Sequence, residues 1–336
     1  MRQGKLRRDV ANGEGIAMNA GYDKPLYLLQ FDHRSSYLEG LFDFKRPLSD
    51  SQGEQVRDSK QLVYEGFRHS VADGVPDQSA GILVDEEFGG DILRDARRSG
   101  FVTAVSIEQS GSDEFEFEYG ADFFRPIENF APTFANVLVR YNPEGEPALN
   151  RRQAGRLQMI SEHCRRSGRP FMFELLVPPT PGQLARMNDS QALYERRLRP
   201  TLVCIAIRQL QDAGIEPDVW KVEGIFRHDD CERIVTAARH DGRAGVGCIV
   251  LGGGANAARV RRWLTTAAKV DGFIGFALGR ATFWDAVAAY RDLTMTRADA
   301  VARTAGRLRA WIDVFEHARL LRAAPAGQAS KASLLP

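Results

Sequence analysis

Lys221 is the residue of this sequence whose surroundings most strongly indicate chemistry. It lies in the run Asp218–Glu223 (DVWKVE), where apolar neighbours make an unpaired ammonium group costly. Apolar surroundings favour the neutral form of an amine, and a neutral lysine amine attacks carbonyl groups to form Schiff bases. The residues leave a second interpretation equally open, in which Lys221 is a strand-end lysine paired with a carboxylate such as Glu223.

Two acidic residues lie in or directly after predicted strands, Glu174 as a candidate proton shuttle and Asp32 as a candidate anchor. Glu174 lies in the apolar run Phe171–Leu176 (FMFELL), where burial is expected to raise the pKa of its carboxyl toward neutrality. Its alternative role is a structural partner for an arginine on a neighbouring strand. Asp32 follows the run Leu26–Phe31 and can anchor a substrate hydroxyl or pair with Lys221. Alternatively, it is a helix N-cap or turn residue.

Two glycine-containing segments predict an anion site. In 250–256 (VLGGGAN), Gly252 and Gly253 allow backbone N–H groups to converge, although a run of three glycines alone also fits a flexible turn. Gly279 and Arg280 add a bidentate cation just before a predicted helix. In barrel enzymes, phosphate sites commonly form from the loops after the last two strands and a helix N-terminus. We therefore expect these four residues to bind phosphate.

The elements that position these residues repeat in a regular order. Short apolar runs rich in β-branched and aromatic residues alternate with stretches of helical spacing, as expected for parallel strands buried on both faces. The predicted strands are 26–31, 81–85, 102–107, 136–140, 170–175, 218–222, 247–251 and 272–277. The predicted helices are 53–72, 89–98, 150–167, 190–213, 229–239, 255–267, 281–291 and 296–320. The connection 108–135 shows no regular pattern.

Eight such units predict an α/β fold, a (β/α)8 TIM barrel, with a doubly wound open sheet as the alternative. No GxGxxG follows the first strand, which disfavours a dinucleotide-binding version of that alternative. We expect one barrel over 25–320, a flexible N-terminal extension over 1–24 and a disordered tail over 321–336. Barrel chemistry lies at the carboxyl ends of strands, where Glu108 and Arg140 also stand.

Composition excludes several classes of protein. Lys plus Arg (45) and Asp plus Glu (44) leave a formal charge of +1, so neither nucleic acid nor membrane is an expected partner. No apolar run approaches the ~20 residues of a membrane span, and the N-terminus has no signal-peptide core. Four cysteines stand far apart, which fits reduced thiols in the cytoplasm. Six histidines form no HxH or HExxH pair, so we expect neither a metal nor a cofactor.

Five segments resemble a known family. They are 31–34 (FDHR), 82–89 (ILVDEEFG), 171–174 (FMFE), 218–223 (DVWKVE) and 275–284 (GFALGRATFW). These segments resemble class I ketose-bisphosphate aldolases of the tagatose-bisphosphate aldolase group. The whole sequence is most similar to that group's domain of formerly unknown function, DUF2090, which occurs alone or fused behind 5-dehydro-2-deoxygluconokinase in inositol catabolism. The resemblance covers roughly residues 25–320.

The resemblance assigns a role to each matching residue. It implies that Lys221 forms the Schiff base, that Glu174 is the acid/base and that Asp32 positions the substrate. It also implies that Gly252, Gly253 and Arg280 hold phosphate. The sequence departs from the family's pattern at two places. Ser35 stands where relatives usually have glycine, and the arginine or other polar residue common near Gly253 is missing.

The implied activity is that of a carbon–carbon lyase acting on a phosphorylated sugar or sugar acid. The expected substrate is 2-deoxy-5-keto-D-gluconate 6-phosphate, cleaved to dihydroxyacetone phosphate and malonic semialdehyde. Glu174 would remove the hydroxyl proton directly or through water. We also expect Arg34, Arg140 and Glu223 to contact substrate. Two alternatives stay open: a ketose bisphosphate or sulfosugar phosphate as substrate, and a non-catalytic phosphosugar-binding barrel. Barrels of this group often form homo-oligomers, and the oligomeric state is also left open.

Overall fold

Eight parallel strands close into a barrel in the computed structural model, which describes residues 21–323. Each strand pairs with its neighbours in sequence, and β8 pairs with β1 to complete the ring. The strands are β1 (Leu26–Gln30), β2 (Ala80–Val84), β3 (Val102–Ser106), β4 (Phe134–Arg140), β5 (Phe171–Leu176), β6 (Val219–Glu223), β7 (Gly247–Leu251) and β8 (Phe273–Leu278). The predicted TIM barrel is confirmed, and the open-sheet alternative is wrong.

Helices connect the strands and form the outer layer. They are α1 (Ser35–Tyr37), α2 (Asp50–Ala72), α3 (Glu86–Arg98), α4 (Arg125–Phe130), α5 (Pro147–Ser167), α6 (Pro181–Arg186), α7 (Gln191–Leu193), α8 (Arg199–Asp212), α9 (His228–Ala238), α10 (Ala257–Ala267), α11 (Arg280–Arg291) and α12 (Arg297–Ala323). Short 3₁₀ turns occur at Gly120–Asp122 and His240–Gly242, and π turns at Leu38–Phe42 and Tyr194–Leu198. The irregular connection 108–135 holds a 3₁₀ turn, α4 and an isolated bridge between Glu108 and Phe117.

Side chains alternate between the barrel interior and the helices, as strand geometry requires. On β6, Val219 belongs to the apolar cluster inside the barrel, whereas Trp220 and Val222 pack against the surrounding helices. Lys221 lies two residues after Val219 and therefore also faces the barrel interior, nearer the carboxyl end of β6. On β5, Glu174 follows Met172 in the same way. The lower barrel is thus filled by apolar side chains, and the inward positions nearer the carboxyl ends carry polar ones.

The described part of the predicted N-terminal extension contacts the opposite end of the barrel. The Gly21 N–H donates to Asp218 Oδ1 over 2.8 Å, and the Tyr22 ring lies 4.9 Å from that of Phe134. The rest of that extension, 1–20, and the tail from 324 onward lie outside the described residues. Among the helices of residues 21–323, none is long and apolar enough to cross a membrane.

Candidate active site

A cavity of about 730 Å³ opens at the carboxyl ends of the strands. The segments that follow β1, β3, β7 and β8 line it, together with inward residues of β4 and β5. This is where barrel enzymes carry their chemistry. The cavity brings together most of the residues predicted from the sequence: Asp32, Arg34, Arg140, Glu174, Gly252, Gly253, Gly279 and Arg280.

Lys221 and Glu174 form a buried pair, in which Glu174 lines the cavity and Lys221, which is not among the lining residues, contacts it from the barrel interior. They are register partners on β6 and β5, so their inward side chains stand side by side. Lys221 is fully buried, and its Nζ lies 2.5 Å from Glu174 Oε2. Burial raises the pKa of the Glu174 carboxyl above its usual range, against the opposing effect of the Lys221 charge. The direction agrees with the rise expected from the sequence.

The pKa of the Asp32 carboxyl is shifted in the opposite direction from that of Glu174. Its Oδ1 accepts a hydrogen bond from Gln30 Nε2 over 3.0 Å, and its Oδ2 accepts one from Ser106 Oγ over 2.6 Å. Burial alone would raise the pKa of Asp32. The charges of His33 and Lys221 and the two hydrogen bonds together hold it below its ordinary value. Asp32 is therefore a fixed carboxylate that balances a cation rather than a proton carrier.

Three polar residues at the floor were not singled out from the sequence. Gln30 donates to Asp32 and, over 3.5 Å, to Glu174 Oε2. Ser106 holds Asp32, and Asn136, its register partner on β4, is fully buried. Neither atom of the Asn136 carboxamide has a hydrogen-bond partner within residues 21–323. One feature of the sequence could have found them. Each lies two residues after an apolar residue that faces the barrel interior, and therefore faces inward as well.

Glu108 places a further carboxyl beside this floor. It follows β3, lines the cavity, and its Oε2 accepts the Leu138 N–H over 3.3 Å. Leu138 is the register partner of Glu174. Burial raises the pKa of Glu108 to about 7, helped by the negative charges of Asp32 and Glu174 and opposed by Arg34.

Arg280 supplies a cation without an acidic partner among the described residues. It lines the cavity at the start of α11, and its guanidinium lies 4.6 Å from the centre of the Trp284 ring. Partial burial lowers the pKa of Arg280, with no carboxylate contributing. A half-buried guanidinium with free donors at a helix N-terminus is a suitable anion site.

The glycines beside Arg280 make room for an anion. Gly253 and Gly254 have φ values of 53° and 73°, which side chains rarely adopt. A Cβ at either position would meet no atom within 4 Å, so the space on this side is open. At Gly279, a Cβ would stand 2.5 Å from the Gln30 carbonyl oxygen. Glycine therefore lets β8 end close against β1 and brings Arg280 to the cavity rim.

Three further residues were predicted to contact substrate, and they differ in whether other protein groups already bind their side chains. Arg34 lines the cavity, but its guanidinium already donates to Glu118 over 2.8 Å and to the Glu108 carbonyl over 2.5 Å. Arg140 lines the cavity, and within residues 21–323 its guanidinium donates only to the Ser112 carbonyl, over 3.3 Å.

Glu223 is not one of the residues that line the cavity. It accepts from Arg199 over 2.9 Å and from the Val177 N–H over 3.0 Å. These contacts tie β6 to α8 and to the end of β5. A direct contact between Glu223 and substrate stays a prediction.

A possible group of metal ligands lies elsewhere on the surface. His228, Asp229 and Glu232 place one ligand atom each within 4.8 Å of the others at the start of α9. All three are exposed, and none lines the cavity. Exposed groups of this kind are common without an ion, so the cavity chemistry must be derived from its own side chains.

Comparison with known proteins gives relatives of similar sequence and of similar fold. The chain is 25% identical over 164 residues to the tagatose 1,6-diphosphate aldolases of Listeria monocytogenes and Listeria innocua. The match spans about half of this chain and about half the length of each relative, 47% in both cases.

Solved structures extend the likeness in fold to most of the chain. The fructose-bisphosphate aldolase of Slackia heliotrinireducens superposes with a TM-score of 0.51 at 13% identity, covering 84% of this chain and 86% of its own. That of Plasmodium falciparum gives a TM-score of 0.54 at 12% identity, covering 89% and 97%. At such identities the likeness shows the barrel fold. A family sequence profile matches residues 16–319, which is most of the chain. The chain therefore belongs to the bacterial protein family DUF2090, described as "Uncharacterized protein conserved in bacteria".

Proposed function

We propose that this protein is a class I aldolase, a lyase that cleaves a carbon–carbon bond of a phosphorylated keto sugar through a Schiff base on Lys221. The observation that carries the proposal is the buried Lys221–Glu174 pair, whose carboxyl lines the cavity and whose amine lies directly behind it. The aldolase relatives support the same class of reaction.

The buried pair explains how Lys221 would become a nucleophile. Transfer of a proton from the ammonium group to Glu174 yields a neutral amine and a neutral acid, which costs little because burial disfavours both charges. Loss of the charges also weakens the contact that closes Nζ off from the cavity. The carboxylic acid then protonates the carbinolamine hydroxyl, which leaves as water when the imine forms.

Cleavage would use the cationic imine as an electron acceptor. The pair of electrons in the breaking carbon–carbon bond moves into the imine and produces a neutral enamine, while a hydroxyl on the departing fragment loses its proton and becomes an aldehyde. Asp32, held ionised by Ser106 and Gln30, stabilises the positive charge of the imine.

The opposite sides of the cavity suit a substrate with two different ends. Arg280 with Gly253 and Gly254 would hold the phosphate, next to β8 and β7. Arg140 offers guanidinium donors on β4, across the cavity from that site. A carboxylate at the far end fits 2-deoxy-5-keto-D-gluconate 6-phosphate, with dihydroxyacetone phosphate and malonic semialdehyde as products.

A ketose bisphosphate is the second candidate substrate. The relatives are named for tagatose 1,6-diphosphate, and Arg140 would serve a second phosphate as well as a carboxylate. Analysis of the products formed from the keto sugar acid phosphate and from the bisphosphate separates the two candidates.

Borohydride reduction tests the Schiff base directly. We expect incubation with dihydroxyacetone phosphate and borohydride to inactivate the protein and to add one three-carbon phosphate to Lys221, identified by peptide mapping. Borohydride without the ketone should leave activity unchanged. Modification at another lysine would reject the assignment of Lys221. An absence of any adduct, together with no cleavage of either substrate, would favour a non-catalytic phosphosugar-binding barrel.

A further inference from the structure

We propose that Glu108 is a second catalytic acid/base, which takes the proton from the hydroxyl of the departing fragment while Glu174 serves the lysine nitrogen. This inference rests on the proposed aldolase function and divides its proton transfers between two carboxyl groups. Its foundation is the order of the groups around the barrel and the hydrogen bonds that each floor carboxyl already makes.

The groups follow the barrel wall in the order that the substrate requires. The anion site lies at β7 and β8, Lys221 on β6, Glu174 on β5, and the Glu108 carboxyl at the backbone of Leu138 on β4. Leu138, Glu174 and Lys221 are successive register partners, so they stand at one level, with about 4.8 Å between neighbouring strands. A substrate with its phosphate at Arg280 and its imine at Lys221 continues toward β4.

The bond to be cleaved lies on that side of the imine. In a phosphorylated ketose the phosphate-bearing carbon is on one side of the carbonyl, and the hydroxyl of the departing fragment is two carbons away on the other. With the phosphate fixed beyond Lys221, this hydroxyl points away from β7 and β8. Glu108 lines the cavity and contacts β4 on that side, through the Leu138 N–H.

The other two floor carboxyl groups are already engaged. Asp32 accepts hydrogen bonds at both oxygens, and its pKa lies below its ordinary value. Glu174 is held 2.5 Å from the Lys221 amine, where its proton is needed to form and hydrolyse the imine. Glu108 accepts the Leu138 N–H and a hydrogen bond from its own backbone, and no side chain among the described residues donates to its carboxyl. Of the three carboxyl groups, it is the one without a side-chain partner, and its pKa is about 7.

The proposed step balances in atoms and electrons. The Glu108 carboxylate takes the hydroxyl proton, the oxygen electrons form the aldehyde carbonyl, and the carbon–carbon electrons pass into the imine to give the enamine. The protonated carboxyl of Glu108 then gives its proton to the enamine carbon, which restores both the imine cation and the carboxylate. Water hydrolyses that imine and releases the ketone fragment.

The test separates imine formation from cleavage by comparing Glu108→Gln with the wild type. We expect Glu108→Gln to be trapped by borohydride and dihydroxyacetone phosphate at a rate within about threefold of the wild type. Its rate of cleavage should fall by about 10² to 10⁴, the usual contribution of a general acid/base. Glu54→Gln, at an exposed acid of α2 that does not line the cavity, is the matched control and should leave both rates unchanged.

The pH profile gives a second readout that a merely structural role would not produce. Cleavage by the wild type should rise with pH through about 7 as Glu108 ionises, and this limb should be missing in Glu108→Gln. The charged groups that face Glu108 are Arg34, Asp32 and Glu174. Glu108→Asp should cleave more slowly but keep the rise of the cleavage rate with pH. This variant replaces Glu108→Gln in the test if the glutamine variant does not fold.

Three outcomes would overturn the proposal. Cleavage at the wild-type rate in Glu108→Gln would exclude the step, and so would an equal loss of trapping and cleavage. An unchanged pH limb in that variant would assign the titration to another group. If the wild type itself forms no borohydride adduct, the aldolase function fails first, and this inference fails with it.

Discussion

Two lysines are fully buried beside a carboxylate, and they differ in how many of their donors are used. Lys60 of α2 lies outside the barrel, where its Nζ donates to the carbonyl oxygens of Phe31 and His33 over 3.0 and 3.1 Å and to Asp85. Lys221 lies inside the barrel and has Glu174 as its one partner among the described residues. An ammonium group has three N–H donors. Lys60 therefore uses all of them, and Lys221 keeps two.

The difference separates a structural lysine from a reactive one. Lys60 ties the turn that follows β1 to the N-cap of α3, because Asp85 also accepts the Phe88 N–H over 2.9 Å. Its charge is fully compensated, so no chemistry is left for it. Lys221 stands beneath a cavity with spare donors and an acid that can take its proton. Burial and pairing are common to both lysines, and the unused donors are the feature that supports the role proposed for Lys221.

The largest expected effect is on catalysis. Lys221→Met should lower the rate of cleavage by about 10⁴ or more, equivalent to about 5 kcal/mol of barrier, because no Schiff base can form. The measurement is product formation together with borohydride labelling. Lys269→Met, at an exposed lysine, should behave as the wild type in both. Activity in Lys221→Met above a hundredth of the wild type would remove the contrast between the two buried lysines.

The next effect is on stability and concerns the other lysine. Lys60→Met should lower the free energy of unfolding by about 3–5 kcal/mol, because it leaves the buried Asp85 carboxylate without its cation. Denaturant unfolding measures this loss. At a temperature where Lys60→Met is folded, borohydride labelling at Lys221 should persist.

A double variant checks that the charge causes this loss. Lys60→Met with Asp85→Asn should recover part of the stability, since the unpaired charge is gone and asparagine still caps α3. If the double variant is no more stable than Lys60→Met, the lysine acts through packing rather than through its ion pair.

The sequence predicted the barrel because its strands read as apolar runs, and it predicted Lys221 because a lysine interrupts one of those runs. Lys60 could not be recognised in the same way. It lies in a helix with polar neighbours (RDSKQL), and only the packing of α2 against the ends of β1 and β2 buries it.

Pairing between distant segments gives contacts that the sequence did not predict. Arg199 of α8 donates to the carboxylate of Glu223, whose contact with substrate stays a prediction. Glu108 begins the irregular connection 108–135, and its place beside Glu174 depends on the register of β4 and β5. Neither partner follows from local spacing, because each comes from an element that only the closed barrel brings near.

The smallest expected effect is on the pH dependence of stability, and it tests whether the charges of both buried lysines lower the pKa of His33. Burial lowers the pKa of His33 to about 4; Asp32 opposes this shift, whereas Arg280, Lys60 and Lys221 reinforce it. Between pH 6.5 and 4 the unfolded chain therefore binds a proton at His33 that the folded protein does not. The free energy of unfolding should decrease by about 3 kcal/mol as the pH is lowered through this window. His33→Asn should lose this part of the slope in denaturant unfolding across the window. Parallel curves for the two proteins would mean that His33 titrates as in the unfolded chain, and that the buried lysines do not impose their charge on the turn between them.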